Sequence, residues 1–493
     1  MTRNNHLVRR LGIIGLTATG ICSMLGASIN VVPFMIQRNV EGIGPYVLPA
    51  FLFAAIPAIF AAFAYSILAS AMPRAGGSYI YASRGLNPYL GFIASFSQWF
   101  GLSIVIGVIA YIIVPFIRDV ALGMEWNDMA KSLEMGIVRV PLALLLVWTF
   151  VYVNIRGAKS YERTLIPLMF LMFGLGFIVI ISGFVYDHSD FSQALVGLEI
   201  RSIPQNANAD FSWVTFFSAS ALLFSSFIGF DSIAQAGGEA KNPSKSLPLA
   251  IFLAISIVGS FYFLFTAAVY HTVPWSFIAE EAMNKDISAP GLLSYLLPTG
   301  LGVAILLGAA IALINDLPAM LLSVSRLMFA WAEDGVFPKV VADVNSRFHT
   351  PHIALVGSGI IASLGVLGSH FAGDFFLGID IMVTSMMINF LLMCITLIAL
   401  PQVNPKLSKE IQVFKNKGFQ KVIGWGGSLI LIFFLIIHLY KDMNSEVEAW
   451  YFHSTWIWGI VMILGSLLYF YQIISLKKQG INIKKLFSEL PSE

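Results

Sequence analysis

The chain has 493 residues, of which 57% are hydrophobic and only 11% charged, with a formal net charge of +2. Soluble globular domains carry about 25% charged residues, so most of this chain is built for lipid and no large soluble domain fits in what remains. The near-neutral balance gives no reason to expect a nucleic-acid partner, and two cysteines, Cys22 and Cys394, are too few for a disulfide framework or a metal cluster.

A membrane span takes roughly 20 apolar residues. The apolar runs place twelve spans, at about 11–34, 45–71, 89–117, 138–155, 164–186, 211–237, 247–271, 299–330, 352–369, 375–400, 424–440 and 452–476. The polar residues 1–10 lead straight into the first run with no short apolar region and cleavage site, so the first span is expected to be retained. Two runs are interrupted near their middles. The first breaks at Leu25-Gly26-Ala27-Ser28 and the sixth at Phe227-Ile228-Gly229-Phe230. Lipid cannot satisfy the backbone groups such breaks free, so these must line a protein cavity or meet a ligand. Breaks in corresponding places of two halves point to the substrate site of a secondary transporter.

The halves are residues 11–186 and 211–400, five spans each, and each opens with an interrupted helix. An odd span count turns the second half upside down, as an inverted repeat, with two further spans in 424–476. With the amino terminus inside, 22 of the 29 Lys and Arg fall on the inside and 7 outside. That is the positive-inside pattern, with residues 1–10 and 477–493 both cytoplasmic. The outside connections, Asp187 to Asp210 and Glu280 to Asp286 among them, lean acidic.

Four pieces of the chain carry a family resemblance. The first is Gly20 to Ile29, where the family usually shows Gly-Ser/Ala-Gly and this chain has Gly26-Ala27-Ser28. The second is Gly44-Pro45, Tyr65, Leu68 and Met72-Pro73-Arg74-Ala75-Gly76-Gly77-Ser78-Tyr79-Ile80-Tyr81. The third is Phe227 to Asp231 with Gly238-Glu239-Ala240-Lys241-Asn242-Pro243. The fourth is Ser325-Arg326, Glu333-Asp334-Gly335 to Pro338, Val344-Asn345 and Thr350-Pro351. In this order they resemble the amino acid–polyamine–organocation superfamily over roughly residues 9–360. The pattern is nearest to bacterial amino acid permeases and members like the cationic amino acid transporters. The resemblance implies an all-α membrane protein of LeuT type, a 5+5 inverted repeat of twelve helices with helices 1 and 6 discontinuous. It also implies transport of amino acids, or less often polyamines, across the plasma membrane, with no enzymatic activity, cofactor or metal.

A free amino acid is a zwitterion, and burying it takes donors for its carboxylate and acceptors for its ammonium. The amides of Ala27, Ser28 and Ile29, beside Gly26, are expected to hold the carboxylate, with the Ser28 hydroxyl as an extra donor. Carbonyls near Met24 and near Phe224, Ser225 and Phe227, ahead of Gly229, are expected to take the ammonium. Small residues at such places also serve close helix packing. By resemblance, Ser225 and Ile228, Gly101, Leu102 and Val105, and Met320 face the substrate side chain, although Leu102, Val105 and Met320 also suit ordinary packing.

No Lys or Arg lies well inside a span, but Asp316 and Asp231 do, with Asp380 shallower. A mid-bilayer carboxylate costs about 3 kcal/mol on lenient scales, so each is a functional candidate. Asp316, one turn before Met320, is the expected proton carrier. Asp231 is the second candidate, read equally as a brace for the broken helix. Some proton-coupled relatives carry a fifth-span lysine. Here that position falls near Met172, which cannot titrate. The alternative is a cationic amino acid or polyamine permease or exchanger, in which the aspartates bind extra ammonium groups. Against it, the third span holds no carboxylate. No HExxH motif or paired carboxylates support an intramembrane enzyme, and no filter segment supports a channel.

Overall fold

The computed structural model describes residues 7–197, 210–372, 376–445, 447 and 450–491, with only the backbone at Ala27, Ser28 and Ala372. The helices in chain order are α1 (Ile13–Cys22), α2 (Ala27–Asn30), α3 (Val32–Asn39), α4 (Val47–Ala71), α5 (Gly77–Gly85), α6 (Pro88–Gly123), α7 (Asn127–Glu134) and α8 (Gly136–Ile155). There follow α9 (Ala158–Val185), α10 (His188–Gly197), α11 (Trp213–Leu223), α12 (Ser232–Gln235), α13 (Pro243–Thr272), α14 (Trp275–Asn284) and α15 (Ala289–Leu293). The last are α16 (Thr299–Glu333), α17 (His352–Ala372), α18 (Phe376–Val403), α19 (Pro405–Lys409), α20 (Lys417–Asn444), α21 (Ser454–Lys478) and α22 (Ile483–Leu486). Among the described residues there is no strand.

Eleven stretches are long and apolar enough to cross a membrane: α4, α6, α8, α9, the run Trp213–Gln235 holding α11 and α12, α13, α16, α17, α18, α20 and α21. The first expected span is divided among α1, α2 and α3, of which α1 is a shorter apolar helix of 10 residues. The third and eighth run past their expected ends, to Gly123 and Glu333. Helix starts follow local chemistry. The Asn87 side chain accepts from the Tyr89 and Leu90 amides at 2.9 and 3.3 Å, and Pro88 opens α6. Over their most apolar stretches α16 is 83% buried and α6 78%, against 22% for α8 and α21. The former are the centre of the bundle and the latter its perimeter. That perimeter exposes Ile137 and Leu145 on α8 and Ile463 and Leu467 on α21, which suits a lipid surround.

The first break lies a turn earlier than expected. α1 stops at Cys22, the Met24 and Leu25 amides fold back onto the Ile21 carbonyl at 3.1 and 3.0 Å, and helix resumes at Ala27. Gly26 is thus the last unwound residue, and Ala27 and Ser28 already belong to a helical turn. The second break is a tight turn over Phe224–Phe227, an extended Ile228, and Gly229 at φ +136°. Glycine alone takes that φ readily. A Cβ on Gly229 would also overlap the Ser23 carbonyl, so the two breaks touch.

The end that carries most of the basic loops is sealed by backbone pairing. The Arg10 and Leu11 amides donate to the Glu239 carbonyl at 2.8 and 2.9 Å, Lys241 to Leu11 at 2.9 Å, and Gly76 to Gln235 at 3.1 Å. Arg326 lies in the last two turns of α16, not deep in the span. It sits toward the basic end and pairs with Glu239 at 2.6 Å, both buried. Arg84 grips Asp334 through both terminal nitrogens, at 2.5 and 2.8 Å. A tail strap covers this pair. Arg84 Nε donates to the Glu489 carbonyl at 3.2 Å, Arg74 Nε to Pro491 at 3.0 Å, and Asn404 to Ser488 at 3.1 Å. The Phe487 ring lies 5.2 Å from the Arg84 guanidinium. The opposite end holds a vestibule of about 750 Å³, whose wall includes Arg118, Asp119, Arg139, Glu281 and Lys285.

Candidate functional site

Where the second break meets α6, α16 and α18 there is a cavity of about 20 Å³, lined by Val105, Ser225, Ile228, Asp316 and Met320 together. That is room for roughly one water. Val32, Ile112, Ile379 and Met382 complete much of the wall. Asp316 and Met320 share a face because they are one turn apart on α16. Asp316 is 2% exposed, and its carboxylate packs directly on Gly26: a Cβ there would overlap it. The Ser225 hydroxyl is buried and has no hydrogen-bond partner among the described residues.

The other expected site residues lie elsewhere. The Met24 carbonyl accepts a hydrogen bond from the Tyr262 hydroxyl, and the Ser225 carbonyl accepts from the Ile228 amide at 3.2 Å. Phe224 packs its ring on Phe390 and Phe434, and Phe227 on Phe51 and Tyr262. Gly101 sits where α6 crosses α18, against Ser385 and Met382, and Leu102 is fully buried outside the cavity wall. Ile29 faces a second cavity of about 20 Å³, shared with Leu25 and with Met172. The side chains of Ala27 and Ser28 lie outside the described set, and with them the expected Ser28 hydroxyl donor. Asp380, on α18, is only partly buried.

Asp231 does not line the cavity. Its carboxylate accepts from the Gly229 amide at 3.1 Å and from the Gln98 side chain. Gln98 Oε1 in turn accepts from Ser78 Oγ at 2.7 Å and from Asn389 at 3.2 Å. Tyr65 joins Ser78 and Asn389, both at 2.7 Å, and Gln235 donates to Ser78 at 2.6 Å. This network ties the second break to α4, α5, α6 and α18, and it accounts for Ser78 in the motif after the second span. Sequence reasoning missed Gln98, Asn389 and Gln235. Their signal was a polar side chain in an apolar run, which names no partner.

Ile112 walls both the central cavity and the vestibule, and neighbouring Val31 and Val32 face one each. A thin apolar layer therefore parts the cavity from the open end, while paired backbone and two buried ion pairs part the bundle's interior from the basic end. Two broken helices touching beside a buried cavity, inside an apolar bundle, are the architecture of a multi-span membrane transport protein. The amino acid permease family model matches residues 11–474, and the chain belongs to that family. The superfamily resemblance read from the four motif pieces is thereby borne out. The chain is 27% identical over 374 residues to the vacuolar cationic amino acid transporter 2 of Arabidopsis thaliana, a match covering 73% of this chain and 55% of that protein. It is 25% identical over 457 residues to the branched-chain amino acid permease BcaP of Bacillus subtilis (strain 168), covering 88% of each. A methylthioribose transporter of the same organism is 23% identical, over 74% of this chain and 76% of that protein. The chain thus spans little more than half the length of the plant relative.

Proposed function

We propose that the protein is a secondary active amino acid transporter of the plasma membrane that works by alternating access and is proton-linked. The observation that carries the reading is the small cavity holding Asp316, with an open vestibule on one side and a sealed basic end on the other. In this reading the basic end is cytoplasmic, as are both termini, and the described conformation is closed inward. α1 to α3 together make a twelfth span, residues 11–186 and 211–400 are the two inverted repeats, and α20 and α21 stand outside them. Transport of an amino acid is supported by family membership and by what the relatives are named for carrying. The protein is a carrier and not an enzyme.

Proton linkage rests on Asp316 as the cavity's carboxylate. Asp231 is second, since its oxygens already brace the break at Gly229 and Gln98. Uptake into proteoliposomes of each of the twenty amino acids and of putrescine, with and without a pH gradient, tests the reading. Amino acid uptake accelerated by an inward proton gradient is expected. Uptake of no amino acid refutes it. Uptake of arginine, lysine or putrescine alone, indifferent to the gradient, favours the cationic amino acid or polyamine alternative, for which a carboxylate in the cavity also speaks.

A further inference from the structure

Two of the four carbonyls expected to take an ammonium group already accept a hydrogen bond within the protein. The Met24 carbonyl takes the Tyr262 hydroxyl, and the Ser225 carbonyl takes the Ile228 amide. Among the described residues the cavity wall is otherwise apolar side chains, with one hydroxyl, Ser225, and one ionisable group, Asp316. An ammonium brought into such a place needs a counter-charge, because desolvating it unpaired costs far more than a hydrogen bond to a neutral group returns. We propose that Asp316 is that counter-ion: it holds the ammonium of the transported molecule, Ser225 supplies a hydroxyl to the polar end, and Ile228, Met320, Ile379 and Met382 receive an apolar body. The substrate class is then a primary amine with an apolar side chain, and the ammonium is the group recognised by charge. Gly26 is glycine on this account so that the Asp316 carboxylate can sit flush against the broken helix, between it and the cavity. The proposal rests on the reading of the cavity as the substrate site, and because a protonated Asp316 has no charge to offer an ammonium, the coupled proton then falls to Asp231, the second candidate.

The test uses purified full-length protein in nanodiscs and direct binding measurements. The probes are leucine, arginine and putrescine, with two leucine relatives: 3-methylbutan-1-amine, which lacks the carboxylate, and 4-methylpentanoate, which lacks the ammonium. The amine is expected to compete with the tightest-binding probe and the acid to fail. Asp316→Asn is nearly isosteric and is expected to weaken that probe about 10- to 100-fold, the worth of a hydrogen bond to a charged group. Asp316→Glu is expected to recover part of the loss. The analogue pair is compared on the unaltered protein, so the outcome does not hang on a variant's folding. The proposal is overturned if the acid competes as well as the amine, if no ammonium probe binds, or if Asp316→Asn binds with unchanged affinity. Unchanged binding with loss of gradient-driven uptake overturns this proposal while leaving proton linkage standing. Asp316-dependent binding of 3-methylbutan-1-amine with refusal of both amino acids upholds it while removing the amino acid reading.

Discussion

Replacing Asp334 by Asn would leave the Arg84 guanidinium buried without a counter-charge. The two side chains are 1% and 4% exposed, so water cannot take over. Both terminal nitrogens of Arg84 donate to Asp334, at 2.5 and 2.8 Å. An amide offers one oxygen, and its NH2 would meet the other guanidinium nitrogen donor to donor. The remaining partners, Ser83 Oγ at 2.8 Å and the Glu489 carbonyl at 3.2 Å, are neutral. Breaking one side of a buried ion pair costs about 3–5 kcal/mol, or roughly 100- to 4,000-fold in a folding equilibrium. The assay is equilibrium denaturation in mixed micelles of wild type, Asp334→Asn, Arg84→Met, and the double variant Arg84→Met/Asp334→Leu. Each single change should destabilise by that amount. The double should recover much of it, since apolar residues of similar volume often replace buried ion pairs without loss. A single-variant loss under about 0.5 kcal/mol, or single losses that simply add in the double, would refute the reasoning.

Three further outcomes are expected. Gly26→Val should abolish substrate binding while the protein still folds, because the new side chain displaces the Asp316 carboxylate; wild-type affinity in that variant would sink the assignment of the site. Ser225→Leu should exclude larger substrates and Met320→Ala should admit them, read as a changed uptake profile across the amino acid panel; two unchanged profiles would mean that the cavity is not where substrates sit. Gly229→Ala should destabilise the bundle by at least about 1–3 kcal/mol from backbone strain alone, with more from overlap at the Ser23 carbonyl, and a thermal midpoint equal to wild type would contradict the contact between the breaks.

The two breaks were legible in the sequence because glycine amid long apolar runs is a strong local signal, and both lie within a turn of where Gly26 and Gly229 suggested. Five cavity residues, Val105, Ser225, Ile228, Asp316 and Met320, were legible in the same way, from helical spacing around the breaks and from family resemblance. Gly101 and Leu102 were not separable from Val105 on that basis, because the rotation of α6 is set by its crossing with α18, a long-range contact with no mark in either segment. The engagement of Met24 by Tyr262 was hidden for a similar reason: the partners stand 238 positions apart, and a tyrosine in an apolar helix does not announce its acceptor. Arg84 falls between the second and third apolar runs, where nothing local marks it as buried. Its burial depends on Asp334 and on a tail with no periodicity of its own.

That tail also fixes an order of construction. Arg84 and the Glu489 carbonyl it binds are 405 positions apart, and every membrane helix lies on or before that interval. A chain emerging into the bilayer in sequence can therefore complete this corner only after α21 has been threaded. Until then the Arg84–Asp334 pair lacks the tail carbonyl and ring that cover it. Cutting the chain short ahead of Pro491, whose carbonyl is held by Arg74, would open the same corner.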